Sequence, residues 1–129
     1  MPFSMWSGDG VLRLVLSGSV TAEDLVRVAD AIVEAEGVRD VCPHRVTDLT
    51  GVARFEVGFD DVSELARRRR ELPPATPVRS AVLALTPVQL GYARMFQTLN
   101  DHPQVTMRIF PDADAALAWL AEEPPSSIR

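Results

Sequence analysis

Apolar and polar positions alternate along this chain in two periods, and the switches between them mark out the elements. From Val11 to Ser17 the period is two: Leu12, Leu14 and Leu16 share one face of a strand, Val11, Arg13 and Val15 the other. Phe3 to Ser7 predicts a strand before it, joined through the hairpin turn Gly8-Asp9-Gly10, and Gly18 is read as the end of the pair. The period then changes to that of a helix. Thr21 is the predicted cap, Val20 can staple onto Leu25, and Leu25, Val28, Ala29, Ile32 and Val33 form the inner stripe. Glu23, Arg27, Asp30 and Glu34 face outward, and Gly37 stops the helix.

Arg45 to Leu49 predicts a short strand with Thr50-Gly51 as the loop after it, and Val52 to Phe59 shows no clear period. Asp60-Asp61 caps a second helix with Val62, Leu65, Ala66 and Leu72 inward and Arg67, Arg68 and Arg70 outward; Pro73-Pro74 ends it. Ala81 to Leu85 is an unbroken apolar run, the mark of a strand covered on both faces. Thr86, Pro87 and Gln89 then spell a capped helix start, and Val88, Tyr92, Met95, Phe96 and Leu99 lie on one helical face. After a turn at Asn100-Asp101-His102-Pro103, Val105, Met107 and Ile109 alternate in a last strand. Asp112 caps the final helix, whose inner face is Ala113, Ala116, Leu117 and Leu120. The order is β-β-α-β-α-β-α-β-α. It predicts an α/β domain: a mixed, mostly parallel five-stranded sheet covered by about four helices, over residues 1–123 with a flexible tail at 124–129.

Composition narrows the function classes. At 129 residues, 47% hydrophobic and 24% charged, the chain is an ordinary globular domain. No apolar run is long enough to span a bilayer, and MPFSMWSGDG lacks a basic segment followed by an apolar one, so neither a membrane span nor a signal peptide is expected. The single cysteine, Cys42, excludes an internal disulfide and fits a reducing cytosol. A net charge of −5 argues against nucleic acid as partner. The 13 basic residues are all arginine, which fits the codon usage of a GC-rich bacterial genome better than dedicated anion recognition.

Candidate chemistry is sparse. The chain has no phosphate loop, GxGxxG, GxSxG, HExxH or CxxC motif, so no catalytic residue and no cofactor are assigned. His44 and His102 stand beside prolines and read as exposed turn histidines, and Cys42 as a small, partly buried filler. Asp48 and Thr50 are placed at the C-terminal edge of a strand, where open α/β sheets gather ligands, with Asp60 and Asp61 nearby. Three aspartates could hold Mg²⁺, but capping and loop amides account for them more simply, and no metal is assigned. Arg67 to Arg70 cannot form one basic face, because successive helical residues turn by about 100°. Arg67 and Arg70 are neighbours there, while Arg69 falls near the apolar stripe with its stem on the core edge.

In this order the elements resemble the STAS superfamily, and among its members the bacterial SpoIIAA-like, STAS/Sec14-type stand-alone domains. The similarity is carried by Leu12-Arg13-Leu14-Val15-Leu16-Ser17-Gly18 with Val20-Thr21-Ala22-Glu23-Asp24-Leu25, and by Val46-Thr47-Asp48-Leu49-Thr50-Gly51-Val52. Val105 to Phe110 with Ala115 to Leu120 completes it. The resemblance implies a non-enzymatic regulatory or protein-interaction module, often a homodimer, related to anti-sigma-factor-antagonist signalling. It also implies a phosphorylated serine in an Asp-Ser-Ser-Gly turn; here that region reads Gly58-Phe59-Asp60-Asp61-Val62-Ser63, and the turn is missing. Trp6, Phe55 and Phe59 are then the candidate anchors for a protein partner or a second copy, with Arg67 and Arg70 as accessory contacts. The alternative is a sensor of a small apolar or anionic ligand, in a pocket rimmed by Asp48, Thr50 and Tyr92. An enzyme without a recognisable motif stands third.

Overall fold

Strand β1 (Phe3–Gly8) turns back antiparallel onto β2 (Val11–Thr21), and from there every strand is laid down parallel to the last. The chain continues through α1 (Ala22–Gly37), β3 (His44–Glu56), α2 (Phe59–Glu71), β4 (Val78–Leu83), α3 (Pro87–Leu99), β5 (Val105–Phe110) and α4 (Ala113–Leu120). The sheet order is β1-β2-β3-β4-β5, the order of the sequence. This computed structural model describes residues 3–8, 10–37, 42–71, 74–100 and 104–122. Asp9, Leu72, Pro73, the turn residues 101–103 with His102, and the predicted tail lie outside the described residues.

Sequential parallel strands joined by right-handed crossovers all place their helices on one face. Accordingly α1, α2 and α3 cover the face that carries Leu12, Leu14, Leu16, Leu49 and Val82, and this is the main core. The chain passes to the other face only after β5. There Ala116, Trp119 and Leu120 of α4 pack on Val46, Ala81 and Leu83. Arg79 ties that helix down at its C-terminus, donating from Nη1 to the carbonyls of Trp119 at 2.7 Å and Glu122 at 2.9 Å. Its guanidinium also lies 5.6 Å from the Trp119 ring centre.

The predicted helix starts are present as hydrogen bonds. Thr21 and Asp24 form a reciprocal pair: the Asp24 amide donates to Thr21 Oγ1 at 3.2 Å and the Thr21 amide to Asp24 Oδ2 at 2.9 Å. The Thr21 amide is the first cause holding the Asp24 carboxyl below its ordinary pKa. Thr86 and Gln89 form the capping box of α3, with Pro87 at its start, and Asp112 caps α4 by accepting from the Ala115 amide at 2.9 Å. In α2 the helix opens one residue before the aspartates, and Asp61 serves it from the third position by accepting from the Gly58 amide at 2.9 Å.

Four sequence expectations are corrected. Gly18 does not end β2, and Thr50-Gly51 is not a loop: both strands run on, pairing in parallel to Thr21 and Glu56 through two register shifts. Gly18 holds φ +68 at one irregularity, and at Gly51 a Cβ would meet the Leu16 carbonyl oxygen at 3.3 Å. Glycines that look like terminators are here a left-handed bulge position and a close approach. Second, β4 begins at Val78, three residues before the apolar run, and leaves Leu85 outside the strand and 58% exposed. Third, Val88 is 57% exposed while Gln89, at 2%, occupies the inner position of α3. Fourth, His44 is no exposed turn residue. It is half-buried at the start of β3, and its Nδ1 accepts from the Arg79 amide at 2.9 Å.

Candidate functional site

The inversion of Val88 and Gln89 follows from what the amide side chain does. Gln89 Oε1 accepts from the Leu85 and Thr86 amides at 2.9 and 3.1 Å. Its Nε2 donates to the carbonyls of Thr50 and Val52 at 3.2 and 3.0 Å, beside the bulged stretch of β3. All four of its hydrogen-bonding capacities are used, which is what permits a glutamine to be buried. Asp48 and Thr50 lie along the same stretch and bond each other: Asp48 Oδ1 accepts from the Thr50 amide at 2.8 Å and its hydroxyl at 2.6 Å. Tyr92, one turn beyond Gln89, stacks on Phe55 with ring centres 4.2 Å apart and donates its hydroxyl to the Val57 carbonyl at 2.5 Å. These residues pin the end of β3 to α3.

The cavity of the domain lies elsewhere, between the sheet and its three-helix layer, with a volume of about 150 Å³. Neither Asp48 nor Thr50 nor Tyr92 lines it. Leu25, Val28 and Ile32 of α1, Val62 and Leu65 of α2, and Phe96 and Leu99 of α3 form its roof; Leu16, Leu49, Val82 and Met107 belong to its floor. Polar groups enter from Arg45 and Thr47 on β3, Ser80 on β4, Arg69 on α2 and Asn100.

Behind that polar wall sits a buried ionic cluster. Glu36, at the end of α1, accepts from Arg45 Nη1 at 3.2 Å and, with both oxygens, from Arg69 Nη2 at 2.6 Å. Arg45 also donates from Nε to Ser80 Oγ at 3.3 Å. Glu36 and Arg45 are 7% and 6% exposed. Burial, then the Arg69 guanidinium, lowers the Arg45 pKa to about 10 against the opposing pull of Glu36. The strand period puts Arg45 on the same face as Thr47 and Leu49, and the helical period puts Arg69 beside the apolar stripe. Those were the signals available in the sequence; nothing in it tied either residue to Glu36.

The remaining candidates are spread over the surface. Asp60 and Asp61 are exposed at the start of α2, and among the described residues no three His, Cys, Asp or Glu side chains group to hold a metal ion. Arg67 pairs with Glu64 and Glu71 of its own helix, and Arg70 donates to the Leu99 carbonyl at 3.3 Å. Phe55 is half-buried against Tyr92, whereas Trp6 and Phe59 are 50% and 59% exposed. Trp6 stands across from Arg13, on the sheet face opposite the cavity. Phe59 opens α2 after β3, and the exposed Leu85 and Val88 flank the start of α3 after β4. Leu85 also borders a depression of about 340 Å³ lined by Leu90, Arg94, Ile109, Phe110 and Pro111. Among the described residues no helix is long and apolar enough to cross a membrane.

No protein-family model matches the sequence, and no curated protein does. Solved structures do. An uncharacterised protein of the DUF3478 family with a SpoIIAA-like fold, from Shewanella loihica, is 16% identical, with a TM-score of 0.61 over 92% of each chain. The anti-sigma factor antagonist SpoIIAA, in its unphosphorylated form, is 13% identical, with a TM-score of 0.59 over 94% of this chain and 99% of that one. Identities this low establish the fold and nothing finer. The chain has a SpoIIAA-like fold.

Proposed function

We propose that the protein is a non-catalytic, cytosolic binding module that acts by docking a protein partner or a second copy of itself. The observation that carries this reading is the exposure of Phe59, Leu85 and Val88, large apolar side chains each more than half exposed in the segments that follow β3 and β4. Large apolar side chains cost free energy in water, and exposed ones are the usual anchors of an interaction surface. The depression beside Leu85 offers a partner side chain a place to enter, with Arg94 at its rim. The anti-sigma factor antagonist that shares the fold fits a regulatory role of this kind.

Sedimentation velocity tests it. The native chain should associate with itself or with a partner retained from its host, and Phe59→Ala combined with Leu85→Ser should weaken that association at least tenfold. Both side chains are already in water, so the melting temperature should hardly move. Association unchanged in the double variant removes this surface from consideration.

A second reading, a small-molecule sensor, is favoured by the apolar cavity under α1, α2 and α3. Its mark is mass retained on the folded protein in a native spectrum and lost on denaturation.

A further inference from the structure

The cavity is mostly apolar, and besides Arg69 and Asn100 its polar groups are Arg45, Thr47 and Ser80, which β3 and β4 carry on one sheet face. The Arg45 guanidinium is held on two sides, by Ser80 at Nε and by Glu36 at Nη1, and is 6% exposed. Among the described residues its Nη2 has no hydrogen-bond partner, and the Thr47 hydroxyl, two residues along the same strand face, has none either. Donors that face an open space take their acceptor from whatever occupies it, and a charged one gains most from doing so. Two polar groups without a protein acceptor therefore stand together at the wall of a space lined mainly by apolar side chains.

We propose that this cavity binds a small monocarboxylate, its carboxylate accepting from Arg45 Nη2 and the Thr47 hydroxyl and its apolar body lying among Leu25, Val28, Val62, Leu65 and Phe96. The inference rests on the sensor reading and adds to it the class of ligand. Size follows from volume: about 150 Å³ is the room that holds a benzene ring, so the body has about six carbons. Charge follows from the neighbours. A single anion suits a guanidinium already shared with Glu36, whereas a dianion such as phosphate would meet the Glu36 carboxylate and an apolar wall. A water held between Nη2 and Thr47 is the competing occupant.

Calorimetric titration of the full chain with hexanoate, benzoate, 1-hexanol, acetate, inorganic phosphate and decanoate decides between them. Hexanoate and benzoate should bind saturably at one per chain, 1-hexanol at least tenfold more weakly, and acetate and phosphate not at all. Thr47→Val should weaken hexanoate about tenfold and leave 1-hexanol unchanged. Ala66→Leu, which adds bulk to the α2 lining of the cavity, should weaken both at least tenfold in a protein that urea denaturation shows to be folded. Equal affinity for hexanoate and hexanol, or full binding by Ala66→Leu, overturns the proposal. Decanoate binding more than tenfold tighter than hexanoate overturns the stated size. If no carboxylate binds while native mass spectrometry shows a retained neutral or larger molecule, the carboxylate is wrong and the sensor reading stands. If nothing is retained and nothing binds, both fall.

Discussion

Gln89 and His44 are polar side chains that hold backbone rather than solvent. Gln89 closes the capping box of α3 and at the same time donates to the Thr50 and Val52 carbonyls of β3. Gln89→Ala would leave two amides and two carbonyls to find other partners, and we expect a loss of about 3 kcal/mol in urea denaturation. A loss under about 1 kcal/mol would mean that water replaces the side chain freely. His44 accepts the Arg79 amide through Nδ1, so its folded form is the neutral ring. Burial, then Arg79, lowers its pKa below the ordinary 6.5. The unfolded chain therefore takes up this proton at a higher pH than the folded one. The stabilisation is complete above about pH 6.5 and is lost as pH falls through the lowered folded value. His44→Asn, which keeps an acceptor but no titrating group, should flatten the slope of urea midpoint against pH between about 7 and 5. An unchanged slope would assign it to other groups.

Elements were legible where local chemistry and long-range packing agree. Thr21, Thr86 and Asp112 announce helix starts, and each is found bonded there. The alternation of Leu12, Leu14 and Leu16 put the inner face of β2 in the sequence before any contact was known. The long β2–β3 ribbon was not legible, because Gly18 and Gly51 carry opposite meanings in a turn and in a bulge, and only the partner strand distinguishes them. The site shares that limit: Arg45 and Arg69 could be placed on inward faces, but the Glu36 that joins them comes from a third element. The bulge also makes a prediction. A Cβ at Gly18 would meet nothing within 4 Å, so Gly18→Ala tests backbone conformation alone. At φ +68 we expect it to cost about 1 kcal/mol, and Gly18→Asn less. A neutral Gly18→Ala would show that the ribbon can shed the irregularity.

Across the whole molecule, one polar cluster ties four elements together at a single point. Glu36 ends α1, Arg45 begins β3, Arg69 lies in the last turns of α2 and Ser80 belongs to β4, so their bonds cross the helix layer and the sheet at one point. Burying these charges opposes folding, and the gain from pairing them rarely exceeds that cost. Glu36→Gln should therefore be severe, lowering stability by about 3 kcal/mol, since the buried Arg45 and the partly buried Arg69 then lose their shared carboxylate. Replacing the set with apolar residues, Glu36→Leu with Arg45→Met and Arg69→Met, should restore most of that loss or surpass the native value. The same triple variant should lose hexanoate binding. That pairing of outcomes separates two reasons for the cluster to exist. A triple variant as stable as the native chain but unable to bind would show that the fold does not need these charges and that the cavity does. If the triple variant is instead as unstable as Glu36→Gln alone, the ions hold the layers together in their own right, and no ligand is needed to explain them.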